Sequence, residues 1–173
     1  LAVIMHRETF HERLEAIVGA GGILSAASDL VVYECDGYTI ENSGRVIWTS
    51  GNILGNNGAL FRNEAGGVFD IQSDAAIRGG AAGAAPSFIN AGLIRKTGGT
   101  ASMDFATETF DNSGAVNVTS GGIFFRNAVT ASGGFDGAAG TTMTFAGAAT
   151  FDGADLTGPG LKELTGSAAV SGV

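Results

Sequence analysis

One cysteine, two prolines, two histidines and two lysines in 173 residues are small numbers, and each scarcity closes off a class of protein. The lone thiol, Cys35, excludes an internal disulfide framework. It reads as a small buried hydrophobe rather than a nucleophile. Lys96 and Lys162 are the only lysines and the net charge is −8, so no basic stripe exists to neutralise phosphates or to sit on an anionic membrane. Nucleic acid is therefore not an expected partner. No apolar run approaches the roughly 18 residues of a membrane span. LAVIM at the start is too short for a signal peptide and lacks a basic flank and a cleavage site, so any export signal is expected outside this chain. No Met opens the chain, and a fragment of something longer is the expectation.

What is abundant points elsewhere. Glycine accounts for 29 residues, yet 45% of the chain is hydrophobic, whereas flexible linkers are polar and disordered tails are charged. The chain is expected to fold. Its composition changes near residue 40. Before that point, HRETFHERLEAIVGAGG places Phe10, Leu14, Ile17 and Val18 on one face of a 3.6-residue period, with Gly19 to Gly22 as the stop, which predicts a short α-helix. Ile23 to Leu24 and Leu30 to Tyr33 are short apolar segments separated by SAASD. The expected division is an N-terminal helical segment over 1–39 and a repeat region over 40–173.

The repeat is a unit of apolar, any residue, Asn, small, Gly, any residue, apolar. It occurs at Ile40 to Val46, Phe88 to Ile94 and Phe110 to Val116. A version with one inserted residue, FRNEAGGVFDI, runs from Phe61 to Ile71, and FDGAAGTTMTF from Phe135 to Phe145 aligns on it with Gly137 in the place of Asn63. Asn42, Asn63, Asn90 and Asn112 are 21, 27 and 22 residues apart. Repeats of this length mean stacked units, each too thin to bury its own apolar face. Asn and Gly tolerate positive φ, so N-S-G and N-A-G mark tight bends, and the flanking residues alternate as half-buried strands do. Such a chain can coil as a solenoid with successive coils about 4.8 Å apart. Phe61, Phe88 and Phe110 would then form an aromatic ladder inside, and the four asparagines an amide ladder at a corner. Hairpin turns of an antiparallel sandwich are the alternative, but they recur every 8–12 residues, and the spacing favours the solenoid.

ENSGRVIW, FRNEAGGVFDI, FINAGLIRKTGGT, FDNSGAVNVTSGGI and LTGPGLKELTGSAAVSG make residues from about 40 to 173 resemble the Gly/Asn-rich repeats of bacterial surface and secreted proteins of the filamentous-haemagglutinin and autotransporter-passenger type. That resemblance implies a right-handed parallel β-helix, here of about 5–6 coils, at the cell surface or outside the cell. HERLEAIVGAGGILSAASDLVVYECDGYTI is similar to the N-terminal lead-in of FAD-linked oxidases related to the glycolate oxidase flavoprotein subunit. The segments that build that family's flavin site do not follow here, so no cofactor-binding residue is carried over, and the two resemblances imply a chimeric or truncated sequence.

Candidate chemistry is sparse. His6 and His11 are five apart, about 140° out of register on a helix, which does not match the H-E-x-x-H zinc geometry. GAGG at 19–22 lacks dinucleotide-loop spacing, and Lys96-Thr97-Gly98-Gly99-Thr100 lacks G-x-x-x-x-G-K and reads as a corner between coils. Asp70, Asp74 and Arg78 could line one face as acids do in β-helix enzymes, but Asp70 alternates with Phe69 and Ile71 and is expected to be a solvated outward charge. Trp48 reads as core or rim rather than as a sugar platform. No catalytic, cofactor or metal residue is assigned. The expected function is a non-enzymatic structural or adhesive solenoid whose partners are surface glycans, proteins or neighbouring repeats. A carbohydrate-active β-helix enzyme and a non-functional oxidase fragment fused to repeats are the alternatives. The predicted helix is expected to cap the first coil near Val46 and Trp48.

Overall fold

The computed structural model describes residues 16–18, 23–26, 30–32, 39–80 and 83–172, the first three stretches by their strand pairing alone. The described chain is a parallel β-solenoid with three faces, each a parallel sheet, of eight, seven and seven strands. Strands are mostly four residues long and visit the three sheets in turn. Each therefore pairs with the strands one coil before and one coil after. Six coils run from Thr39 to Leu164, preceded by one built from Ala16–Val18, Ile23–Ala26 and Leu30–Val32. No helix occurs among the described residues.

Alternation at period two decides which side chains enter the interior. Arg45–Trp48, Leu60–Asn63, Ser87–Asn90, Leu93–Lys96, Thr109–Asn112 and Ala115–Val118 all bury their second and fourth residues. Parallel pairing without a slip then stacks like on like. In the first sheet Phe61 stacks on Phe88 with ring centres 6.2 Å apart, and Phe88 on Phe110 at 5.7 Å, the expected ladder. The third sheet carries a second ladder, Phe105, Phe125 and Phe145, at 5.5 and 5.0 Å. The two meet edge to face across the interior, Phe105 against Phe110 at 4.8 Å. Each ring contributes about 1.5–3 kcal/mol by burial and about 0.5–1.5 more from these geometries.

The amide ladder also forms. Nδ2 of Asn42, Asn63 and Asn90 each donates to Oδ1 of the next asparagine at 2.7 Å, and Asn112 Nδ2 ends the chain of bonds on the Gly134 carbonyl at 3.3 Å. All four residues are buried. Replacing Asn90 with Leu is expected to cost about 1–3 kcal/mol, because it strips an acceptor from Asn63 and a donor from Asn112 inside the fold. A denaturant titration showing a change under about 0.5 kcal/mol, the range of surface substitutions, would reject the ladder.

The glycine two positions after Asn90 and after Asn112 serves a different purpose from the one expected. Gly92 and Gly114 are not among the positive-φ glycines. Instead, a Cβ at Gly114 would collide with the Gly92 carbonyl, and one at Gly92 with the carbonyls of Glu64 and Gly67. Successive corners approach so closely along the stack that only hydrogen fits.

Three further expectations are corrected. The helix predicted to reach Val18 is not there: Ala16–Val18 is a strand in register with Ile40–Asn42. Ile17 and Val18 are β-branched, and the backbone partners supplied by an adjacent strand outweigh an apolar spacing that suits a helix only in isolation. Phe10 and Leu14 lie outside the described residues. The segment beside Val46 and Trp48 on the N-terminal side is the strand Ile23–Ala26, so no helical cap sits there. Likewise FDGAAGTTMTF does not repeat the position of FRNEAGGVFDI. Phe135 pairs with Val116 in the second sheet, and Gly137 continues the column of Val118 and Lys96 rather than that of Asn63.

Candidate functional site

Of the three residues grouped as a possible charged face, Asp70 lies on the second sheet, among partners that the motifs did not name. Its strand, Val68–Ile71, buries Phe69 and Ile71 and turns Asp70 outward, as alternation requires. Asp70 is nevertheless only 1% exposed, because arginines from the coils on either side lie across it. Arg45 Nη2 donates to Oδ2 at 2.5 Å, Arg95 Nη2 to the same oxygen at 2.8 Å, and Gln72 Nε2 at 3.2 Å, while Thr97 Oγ1 donates to Oδ1 at 2.7 Å. The expectation of a solvated charge is corrected: the carboxylate pins three coils together. Burial alone would raise its pKa, but the hydrogen bonds from Thr97, Arg45, Arg95 and Gln72 outweigh burial and bring it from 3.8 down to about 2.

That depression has a testable sign. Between pH 4 and 2 the unfolded chain takes up a proton at Asp70 that the folded chain refuses. The contribution, about 2 kcal/mol, is complete above pH 4 and is lost as pH falls through 2. Urea midpoints measured from pH 5 to 2 should therefore fall more steeply for the wild type than for Asp70→Asn. Parallel curves for the two proteins would refute the pin.

Asp74 closes the corner that follows. Its Oδ1 accepts from Lys96 Nζ at 2.7 Å, and its Oδ2 accepts from the backbone N–H groups of Thr100 and Ala101 at 3.1 Å each. Burial opposes ionisation here too, but Lys96 and those amides hold the carboxyl below its ordinary range. Lys96 occupies the inward column between Ile71 and Val118 and is fully buried. Its ammonium also donates to the carbonyls of Ser73 at 3.2 Å and Gly98 at 2.6 Å. The Lys96 to Thr100 stretch is thus a corner between coils, as its composition implied, and its lysine and amides face a carboxylate of the same chain.

Arg78 does not join this group. It lies exposed on the third sheet, in the column of Ala106. On that sheet Arg126 pairs with Asp104 and covers the ring of Phe124 at 5.3 Å. Trp48 is fully buried and donates its indole N–H to the Gly51 carbonyl at 2.7 Å, so it offers no platform to a sugar. Cys35, His6, His11 and Gly19 to Gly22 fall outside the residues whose side chains the structure describes. Among the described residues no three His, Cys, Asp or Glu side chains converge as a metal site, and no helix is long and apolar enough to cross a membrane.

A shallow groove on the first sheet is a feature that motif reading missed. It is open to solvent, with about 250 Å³ of space lined by residues that include Asp111, Ser113, Thr130, Ser132 and Asp152. Two carboxylates and three hydroxyls can hydrogen-bond a polyhydroxylated molecule, although Asp152 already accepts from Ser171 Oγ at 2.9 Å. The signal was present in the sequence as the Asp after Phe in FDNSG and in FDG. It needed the coil register to bring the two to one face. Compared with protein-family models, curated proteins and solved structures, the chain matches none.

Proposed function

We propose that this chain is a non-enzymatic structural and adhesive solenoid of an extracellular or cell-surface protein, wound in the right-handed sense that parallel β connections take. The observation that carries this reading is where the repeated polar chemistry goes. The asparagine ladder, the Asp70 cluster and the Asp74–Lys96 corner each tie one coil to the next. A stack so tied is a stiff rod whose length scales with coil number. Its lateral groove at Asp111 and Asp152 supplies a place for a surface glycan.

The same groove is where a carbohydrate-active enzyme would have to work, since paired acids are what glycoside chemistry uses. A glycan array followed by incubation with the glycans that bind separates the two readings. The structural reading expects retention with no release of reducing ends, and sustained turnover would replace it with the enzymatic one. Absence of any retained glycan would remove the adhesive part. A flavin absorbance band retained after FAD addition and desalting would favour the oxidase alternative instead.

A further inference from the structure

Asn57-Gly58 is the single Asn-Gly pair in the chain. It turns the backbone from the third sheet, at Ile53–Gly55, to the first, at Leu60–Asn63. Asn57 has φ 52° and Gly58 φ 73°, and the Ala59 N–H donates to the Asn56 carbonyl at 3.1 Å. Positive φ at both central residues of a turn closed in this way is the type I′ form, which favours Asn followed by Gly. Among the described residues Asn57 is the only non-glycine with positive φ. Its side chain lies on the corner of the next coil, where a Cβ at Gly83 would collide with Oδ1 and Cγ of Asn57. The Gly58 N–H reaches the same corner and donates to the Ala84 carbonyl at 3.2 Å.

We propose that Asn57 is a latent modification site, converted spontaneously to aspartate and isoaspartate through a succinimide whenever this corner opens. The Gly58 nitrogen gives its proton to solvent and attacks Asn57 Cγ. The N–Cγ bond forms, the Cγ–Nδ2 bond breaks, and Nδ2 takes a proton from solvent and leaves as ammonia. Water then opens the ring at one carbonyl or the other, giving aspartate or isoaspartate. No electrons are transferred to or from another reactant and no enzyme is required. With no side chain on Gly58, the attacking nitrogen is unhindered.

The closed corner holds the reacting atoms apart. In the left-handed region ψ is about +30 to +50°, which sets the Gly58 nitrogen across the Cα–C bond from the Asn57 Cβ. Ring closure needs the two on the same side. The turn, the bond to Ala84 and the contact with Gly83 must all give way before that rotation can occur. The folded chain therefore reacts only while the corner is open, and its rate falls in proportion to that fraction of time. Asn42 and Asn112, each followed by Ser, are buried and held in the amide ladder. Isoaspartate adds a methylene to the backbone of the turn, and either product sets a carboxylate against the Gly83 backbone. A corner that has reacted closes less well, so the modification records opening and promotes more of it. This inference rests on the fold and is independent of the adhesive reading.

Residue-resolved mass spectrometry of the full chain, aged in mildly alkaline buffer with and without denaturing urea, tests it. In urea Asn57 should convert ahead of every other asparagine, and peptide chromatography should separate its aspartate and isoaspartate products. In buffer alone the same conversion should be slower by about tenfold or more. Gly83→Ala pushes a methyl group into the Asn57 side chain. With its strand signature confirmed by circular dichroism, this variant should convert about threefold or more faster than the wild type in buffer, and at the wild-type rate in urea. Should the variant fail to fold, the wild-type comparison decides alone. The converted chain, once isolated, should unfold at lower urea than the unconverted one. Equal wild-type rates with and without urea, another asparagine ahead of Asn57 in urea, a folded Gly83→Ala with no acceleration, or an unchanged midpoint after conversion would overturn the proposal.

Discussion

Phe125→Ala is expected to lower the unfolding free energy by about 3–5 kcal/mol, the range for deleting a buried aromatic ring. Phe125 is fully buried at the centre of the aromatic interior. It stacks on Phe105 at 5.5 Å and Phe145 at 5.0 Å, and meets Phe110 at 4.7 Å and Phe135 at 5.9 Å. Those neighbours come from all three sheets, and each is held by its own strand in the ladder. None can move to fill the gap without breaking register, so the cavity stays open and its full cost is felt. In a stack, moreover, every coil is stabilised chiefly by its two neighbours. A weakened middle coil should therefore broaden the transition as the two halves begin to unfold separately. Phe125→Leu, which keeps most of the volume, should cost much less, about 1–1.5 kcal/mol. Urea titration followed by circular dichroism measures both. A loss for Phe125→Ala below about 1.5 kcal/mol would mean that the interior can collapse and that the ladder is not rigid.

A comparable loss, about 3–5 kcal/mol, is expected for Asp74→Ala, against a change of no more than about 1 kcal/mol for Lys96→Met. The asymmetry follows from burial. Lys96 has no exposed surface, whereas the Asp74 side chain is 32% exposed. Removing the carboxylate leaves a buried ammonium with carbonyls alone and leaves the amides of Thr100 and Ala101 without their acceptor. Removing the ammonium leaves a carboxylate that still accepts from those two amides and reaches water. Met fits a column otherwise filled by Trp48, Ile71 and Val118. The double variant should lose less than Asp74→Ala, because no buried ammonium is left, and more than Lys96→Met, because the amides of Thr100 and Ala101 still lack their acceptor. Equal losses for the two single variants would show that the pair acts as an exposed ion pair and not as a buried charge with a surface counterion.

Lys96 and Asp70 show the limit of motif reading. Both lie in strands whose alternation was legible, and alternation assigns a side chain to a face without revealing what covers it. Asp70 is covered because Arg45 and Arg95 sit about one coil away on each side. Lys96 tolerates an inward position because a corner carboxylate and two carbonyls wait at the end of its stem. Both arrangements depend on residues 22–25 positions distant, and no local signal distinguishes them from ordinary surface charges. The groove between Asp111 and Asp152 was hidden for the same reason.

By itself the sequence determined the architecture: strand length from alternation, corners from Asn and Gly, and coil length from the spacing of Asn42, Asn63, Asn90 and Asn112, which sets both the amide and the phenyl ladder. These were readable because a parallel stack repeats one local pattern, and like residues at one period must fall in one column. Only the tertiary structure decided which of three corners a motif occupies. FRNEAGGVFDI bends from the first sheet to the second and FDGAAGTTMTF from the second to the third, each as a strand, a turn and a strand. It also decided that Ala16–Val18 is a strand, since an edge three residues long has no preference strong enough to outweigh the hydrogen bonds of a neighbouring coil.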